Sequence, residues 1–141
     1  MLIEKVLYHA RVKATTGRDI RLVSSDGALD LTVTRPRELG GTNGRGTNPE
    51  QLFAAGYATS FLGMMRLVAG REGIALPADT QVEANVGVGP TPNGFEIEVE
   101  LVISLPGLPR AEADTLVEGS HAVCPYSNAT RGNISVRLLV A

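Results

Sequence analysis

One long apolar segment, residues 52–68, restricts the folds open to this chain more than any other feature of its sequence. Just before it, Asn48 is a good N-cap, Pro49 suits the first helical position, and Glu50 adds a negative charge where the helix dipole favours one. We therefore predict a helix that begins here and ends near residues 70–73. Because its residues are apolar almost all round, the helix is expected to be surrounded by protein. Its polar interruptions, and an apolar run shorter than the about 20 residues of a bilayer span, argue against a membrane segment.

Segments with alternating apolar and polar side chains flank this helix on both sides. Six strands are predicted from them, at residues 6–13, 20–23, 29–33, 82–88, 95–103 and 134–140. A Gly-, Pro- and Asn-rich surface loop is predicted at 35–47, and a second, shorter helix at 110–123, before Pro125. The order of three strands, helix, two strands, helix and strand predicts an α+β fold with mostly antiparallel sheets around a long buried helix. A single domain of residues 1–141 is expected.

Composition and charge exclude several functional classes. The chain has 141 residues and a net charge of −2, which gives no electrostatic footprint for nucleic acid or an anionic membrane. Glu4 and Lys5 lie where a signal peptide needs an unbroken apolar run, so the cytoplasm is the expected location. Cys124 has no second cysteine with which to pair, and lone cysteines are mostly small buried hydrophobes. His121 lies three residues before it, but two ligands make a weak site and no metal is expected.

Two segments carry the most specific pattern in the chain. They are residues 47–61, with the sequence TNPEQLFAAGYATSF, and residues 124–133, with the sequence CPYSNATRGN. Together they closely resemble the two signature segments of the organic hydroperoxide resistance proteins, the thiol peroxidase branch of the OsmC/Ohr family. The resemblance covers nearly the whole chain. It implies an OsmC/Ohr-like intertwined homodimer and an enzyme that reduces alkyl and fatty-acid hydroperoxides to alcohols.

The resemblance also implies roles for four residues. The position that aligns with the family's reactive cysteine is Ser60, and Cys124 matches the resolving cysteine that attacks the sulfenic acid and closes a disulfide. Arg18 matches the arginine that steadies the thiolate, and Glu50 the glutamate that orients this arginine. A serine cannot form a sulfenic acid, so the chain looks like an inactive Cys-to-Ser variant. By the same resemblance no cofactor is bound, and dihydrolipoamide or a lipoylated protein is the reductant.

A nearby cation is needed because the thiolate, and not the thiol, attacks a peroxide. A cysteine with an unperturbed pKa of about 8.5 is only a few per cent thiolate at neutral pH, and lowering that pKa by about 2 units is worth about 2.7 kcal/mol. Arg18 would supply this charge, and Glu50 would hold it by a bidentate pair. Without the resemblance, a turn arginine and a glutamate after an N-cap are ordinary solvated residues.

Helix geometry adds a constraint that the resemblance does not contain. Glu50 and Ser60 are ten residues apart, so one regular helix separates them by about 15 Å. Either the helix is broken between them, near Gly56, or Glu50 comes from a second subunit. The small residues Gly56, Ser60 and Gly63 would let another backbone approach closely. We therefore favour a homodimer with composite sites.

Large apolar side chains on the long helix are candidates for a hydroperoxide pocket, although each is also an ordinary core residue. They are Phe53, Tyr57, Phe61, Met64 and Met65. One alternative function is a non-catalytic protein of the same fold that binds lipids or hydroperoxides with a natural Ser60. Another is an acyl-transfer serine, but the chain lacks the Gly-x-Ser-x-Gly elbow that exposes a hydrolase serine.

Overall fold

The computed structural model describes residues 2–42 and 44–141. Met1, in the predicted N-terminal segment, and Asn43, in the predicted surface loop, lie outside the described residues. The chain forms two compact units, Met1–Pro49 and Glu50–Ala141. Both carry a three-stranded sheet, and the helices longer than one turn belong to the second, so the α+β fold is confirmed.

The first unit is an antiparallel sheet with a returning loop. Its strands lie in the order β1-β2-β3, with bounds Val12–Thr15, Ile20–Ser24 and Asp30–Val33. A short 3-10 helix, Arg37–Leu39, lies within the predicted loop. The loop then returns to the edge of β3, where the Thr34 amide donates to the Thr47 carbonyl at 2.8 Å. The first strand was placed too early: residues 2–11 lie outside the strands, and β1 begins at Val12.

The two faces of this sheet differ in polarity. The register pairs Ala14 with Leu22 and Leu22 with Leu31, so these apolar side chains share one face. Val12, Ile20 and Leu31 are exposed by 47%, 45% and 39%. The opposite face carries Arg21, which pairs with Asp30 at 2.9 Å. The first unit therefore leaves an apolar sheet face partly open to solvent.

The second unit packs helices on a mixed sheet. Its helices are α1 (Pro49–Glu72), α2 (Arg110–Val123) and α3 (Pro125–Thr130). Its strands lie in the order β4-β5-β6, with bounds Gln81–Thr91, Gly94–Ser104 and Val136–Val140. β4 and β5 form the predicted antiparallel hairpin, and β6 joins β5 in parallel. The sequence prediction did not include α3.

The core of the second unit lies between α1, α2 and the sheet. Side chains from β5 enter it at alternate positions, where Val99, Leu101 and Ile103 are at most 2% exposed. Glu100, between two of these residues, faces the other way and pairs with Arg137 across β5 and β6 at 2.9 Å. Burying each large apolar side chain contributes about 1.5–3 kcal/mol. The hairpin thus has the one wet face that its sequence predicts.

Helix α1 is continuous from Pro49 to Glu72, with no break at Gly56. Its buried face carries Tyr57, Phe61 and Met65, each 0% exposed and spaced one turn apart. The sequence predicted a helix surrounded by protein. Within a single chain, only this face of α1 is covered by protein. The apolar run of α1 was expected to be too short for a membrane span, but by length and composition the helix could cross a membrane. The core helix of a soluble protein has the same length and composition, so this is weak evidence for a membrane span.

Candidate active site

Cys124 lies at the junction of α2 and α3, and the local sequence explains why. Pro125 cannot continue α2 because it lacks an N–H, and a residue before proline is pushed out of the helical region. Cys124 accordingly has φ −67° and ψ 126°. Pro125 then takes the first position of α3, where a missing N–H costs nothing. The chain turns at Cys124, whose amide donates to the Ser120 carbonyl and whose carbonyl accepts from Asn128, both at 2.9 Å.

The structure brings Cys124 and Ser60 together. Ser60 is half-buried in the middle of α1, whereas Cys124 is 0% exposed and has a free thiol. The Cys124 Sγ lies 3.8 Å from the Ser60 Oγ and is oriented to donate to it. The two residues are 64 positions apart in the chain, so only the tertiary fold makes them neighbours. This is the pair of positions for which a disulfide was expected in a parent protein.

Glu50 lies in the first turn of α1 and has one unsatisfied oxygen. Its Oε2 is buried, and the described residues give it no hydrogen-bond partner. A buried acceptor left unpaired costs about 1–3 kcal/mol, and more when it is charged. Native proteins leave few such atoms, so this carboxylate is suited to receive a donor. Because α1 is unbroken, Glu50 lies about 15 Å along the helix axis from Ser60 in the same chain.

Arg18 belongs to the first unit, where it lies in the predicted turn between β1 and β2 and is exposed. A guanidinium has five N–H donors in a planar fork. Its predicted pairing with Glu50 and its role toward a thiolate stay predictions.

Three aromatic rings pack together beside Cys124. The ring centroids of Phe53 and Tyr126 are 5.8 Å apart, and those of Tyr57 and Tyr126 are 5.4 Å apart. Tyr126 lies over Gly56, since a Cβ added at Gly56 would overlap the phenol oxygen and come within 2.9 Å of its Cζ. Gly56 was expected to admit a partner backbone, but within one chain it admits this ring. Gly63 has open space around it instead.

An apolar groove of about 390 Å³ borders this aromatic cluster. Phe53 and Tyr126 line it together with Ile97, Pro125 and Ile134. Tyr57, Phe61 and Met65 are buried in the core, and Met64 packs against that core. Of the predicted pocket residues, Phe53 is the one that lines this groove. The pocket role of the others stays a prediction.

A hydrogen-bonded chain of side chains runs next to Cys124. The Ser127 Oγ lies 2.8 Å from the Tyr57 Oη and 2.8 Å from the His121 Nδ1. Burial, and secondarily the charge of Arg131, lower the pKa of His121 below its ordinary value of 6.5. Among the described residues, no group of three or more His, Cys, Asp or Glu side chains could hold a metal ion.

Sequence reasoning missed Tyr126 and Ser127 as members of this site. The available signal was their place in the segment 124–133, directly after Cys124.

Comparisons of sequence and of structure match this chain to the same group of proteins. Residues 41–139 match the family model described as OsmC-like protein. The chain is 57% identical to the organic hydroperoxide resistance protein of Xanthomonas axonopodis pv. citri (strain 306), covering 98% of this chain and 97% of that protein. It is 41% identical to the organic hydroperoxide resistance protein OhrB of Bacillus subtilis (strain 168), covering 94% and 96%. The crystal structure of an organic hydroperoxide resistance protein from Elizabethkingia anophelis has a TM-score of 0.92 and 46% identity, covering 97% and 98%.

Proposed function

Because the chain belongs to the organic hydroperoxide resistance branch of the OsmC/Ohr family, we propose that its parent form is a thiol peroxidase with a cysteine at position 60. It reduces organic hydroperoxides to alcohols, and the chain with Ser60 is an inactive variant. The observation that carries this proposal is the 3.8 Å separation between the Cys124 Sγ and the Ser60 Oγ. A sulfur at position 60 would need to close a gap of under about 2 Å to reach the S–S bond length.

The reaction proceeds in two balanced steps. The thiolate at position 60 attacks the outer oxygen of the hydroperoxide, the O–O bond breaks, and a proton converts the departing alkoxide to an alcohol, leaving a sulfenic acid. The Cys124 sulfur then attacks the sulfenic sulfur. The S–S bond forms, the S–O bond breaks, and the hydroxyl leaves with the thiol proton as water. A dithiol restores both thiols by exchange.

A serine at position 60 prevents the first step of this reaction. Its hydroxyl has no accessible anion at neutral pH without a general base, and an alcohol oxygen has no counterpart to the sulfenic acid. Cys124 does not replace it, since it is fully buried and lies where a second sulfur would attack. Binding of the hydroperoxide does not depend on the sulfur and is retained in the Ser60 protein.

Arg18 and Glu50 activate the cysteine in the proposed parent enzyme. The guanidinium lowers the thiol pKa and stabilises the departing oxygen, and Glu50 fixes its orientation. The unsatisfied Oε2 of Glu50 supports this, because a buried carboxylate oxygen is suited to accept from a guanidinium. We assign no bound cofactor and propose dihydrolipoamide or a lipoylated protein as the reductant, and the cytoplasm as the location.

The proposed protein is a homodimer with composite sites. Glu50 could meet position 60 either through a break in the helix of one chain or from a second subunit, and the unbroken α1 excludes the first way. The first unit has a partly exposed apolar sheet face, and α1 leaves Leu67 42% exposed, which also favours a covering partner. Two copies in antiparallel contact would bring the start of one α1 toward the middle of the other.

The apolar groove supports an alkyl or fatty-acid hydroperoxide as the substrate. Its mainly apolar lining, which includes Phe53, Tyr126 and Ile97, suits a hydrocarbon chain. The same groove is the observation that favours the alternative function, a non-catalytic lipid or hydroperoxide binding protein. A natural cysteine codon at position 60 in the host's own gene would exclude that alternative.

The test is a peroxidase assay on Ser60→Cys with dihydrolipoamide as reductant. We expect it to consume an organic hydroperoxide much faster than hydrogen peroxide, while the unmodified chain consumes neither. Turnover by the unmodified chain above a blank without protein would disprove the assignment of position 60. A Ser60→Cys protein that folds and binds but shows no turnover would favour the binding function.

A further inference from the structure

Two hydrogen bonds tie the junction of α2 and α3 to α1. The His121 Nδ1 lies 2.8 Å from the Ser127 Oγ, which in turn lies 2.8 Å from the Tyr57 Oη. Tyr57 and Ser127 are 0% exposed, so water does not compete for the hydrogen bond between them, whereas the bond from His121 to Ser127 is partly buried. Thr130 extends the chain, with its Oγ1 3.4 Å from the Tyr57 Oη.

The placement of these residues around the proposed reacting pair is specific. His121 lies three residues before Cys124 and Ser127 three residues after it, so their hydrogen bond spans the extended residue between the two helices. Tyr57 lies three residues before Ser60, on the same side of α1. One continuous hydrogen-bonded chain therefore joins the element that carries Cys124 to the element that carries position 60.

The turn at Cys124 is held by its own two backbone hydrogen bonds and by the packing of Tyr126 on α1, and the hydrogen bonds through Ser127 add a directional link to α1. α3 is six residues long, too short to be stable by itself, and its first residue follows a backbone hinge. On the other side of the hinge, Arg131 donates to the His121 carbonyl at 2.7 Å and to the Asn128 Oδ1 at 2.6 Å, but Arg131 is exposed. The buried hydrogen bonds of Ser127 and Thr130 to Tyr57 reach α1.

We propose that His121 is a positioning residue, and that the chain from His121 through Ser127 to Tyr57 holds Cys124 against position 60 for disulfide formation. The proposal rests on the proposed function, since it concerns the second step of that reaction. In that step the Cys124 S–H attacks the sulfenic sulfur, the S–S bond forms, and water leaves with the thiol proton. Holding two reacting groups in place accelerates their combination without altering the earlier attack on the peroxide.

The donors and acceptors of His121, Ser127 and Tyr57 determine which substitutions preserve the hydrogen bonds between them. The Ser127 hydroxyl has one proton and two acceptor lone pairs, so it can donate to one neighbour and accept from the other, or accept from both. A neutral imidazole satisfies either direction, as acceptor or donor at Nδ1, depending on its tautomer. An asparagine at position 121 offers an amide atom close to the position of Nδ1. His121→Asn therefore preserves the hydrogen bond, and His121→Ala removes it.

Rapid mixing of Ser60→Cys with one equivalent of an organic hydroperoxide separates the two steps. A sulfenic-acid trap measures the first step, and loss of the Cys124 thiol, followed by mass spectrometry, measures the disulfide. We expect His121→Ala and Ser127→Ala each to slow disulfide formation about tenfold, equivalent to about 1.4 kcal/mol. The rate of sulfenic acid formation should stay unchanged, and His121→Asn should keep the parent rate of both steps.

A second measurement does not depend on peroxide chemistry. Titrating Ser60→Cys with mixtures of oxidised and reduced glutathione gives the equilibrium for closing the disulfide, with and without His121→Ala. We expect closure to be about tenfold less favourable in His121→Ala and unchanged in His121→Asn. If Ser60→Cys never reduces a hydroperoxide but shows these shifts, the proposed function fails and the positioning role stands. Equal closure and equal disulfide rates in all variants, or an asparagine variant as slow as the alanine variant, would overturn the positioning role.

Discussion

Mixing two inactive variants tests whether Glu50 of one chain serves position 60 of another. The first chain carries Ser60→Cys and Glu50→Ala, and the second is the unmodified protein with Ser60 and Glu50. As homodimers, the first should be nearly inactive because its cysteine lacks an oriented cation, and the second should be inactive because it lacks a nucleophile. A heterodimer would contain one complete site, formed by the cysteine of the first chain and the glutamate of the second.

The expected magnitude follows from the helix. Ten residues of unbroken α1 separate Glu50 and Ser60 by about 15 Å along the axis, whereas a direct hydrogen bond spans about 3 Å. Contact within one chain is therefore excluded by a wide margin, and the heterodimer should have half the activity of a Ser60→Cys dimer with two sites. In the Ser60→Cys background, Glu50→Ala and Arg18→Ala homodimers should each lose at least about tenfold in rate, within the about 2.7 kcal/mol that the cation can supply.

The assay needs proof that chains exchange. Two different affinity tags allow the heterodimer to be purified and its organic hydroperoxide turnover compared with the Ser60→Cys homodimer at equal chain concentration. Activity near half of that homodimer supports the shared site. An inactive heterodimer of demonstrated composition would refute it and would leave Glu50 without a route to position 60, because the helix between them is continuous.

Three further predictions concern single positions. In the Ser60→Cys background, Cys124→Ser should still form a sulfenic acid but no intramolecular disulfide, so mass spectrometry should find over-oxidised sulfur under excess peroxide; unchanged products would contradict the resolving role. Gly56→Ala should destabilise the fold by about 1–3 kcal/mol in urea unfolding, less the about 1 kcal/mol gained in helix propensity, because the new Cβ overlaps the Tyr126 ring; a net gain in stability would contradict the packing. The pKa of His121 in the folded protein lies below its ordinary value of 6.5, so at falling pH the unfolded protein binds a proton at this histidine before the folded protein does. The free energy of unfolding should therefore fall as the pH drops below about 6.5. His121→Asn should remove that part of the pH dependence, and an identical slope in the variant would show that other groups cause it.

Local sequence signals predicted the long helix and the hairpin well, because their information lies in the elements themselves. Pro49 and Glu50 mark the start of α1, and strict alternation along β5 marks its two faces. The first strand was misplaced because alternation continues through residues 6–13, whereas β1 is set by pairing with β2. Alternation alone cannot distinguish an extended segment from a paired strand. Pro125 was recognised as the end of one helix, but the same residue also begins α3.

The site was predictable only where a motif carried it. Residues 60 and 124 were paired by resemblance, and the structure brings their side-chain atoms to 3.8 Å. The hydrogen bonds through Ser127 were not predicted, since serine, tyrosine and histidine become buried partners only through tertiary packing. Gly56 shows the same limit. This helical glycine was predicted to allow the close approach of a partner's backbone, whereas the space beside its Cα is filled by the ring of Tyr126 from the same chain.

Two features of the single chain are relevant to the proposed homodimer. Glu50 has a buried oxygen without a donor, which costs about 1–3 kcal/mol or more if nothing pairs with it. Leu31 on the open sheet face of the first unit and Leu67 on α1 remain 39% and 42% exposed. A second copy would cover apolar surface and could at the same time bring the start of α1 to position 60 of its partner. A guanidinium such as that of Arg18 would then satisfy Glu50 and lie beside the sulfur, so that dimerisation and thiolate activation would share one set of contacts.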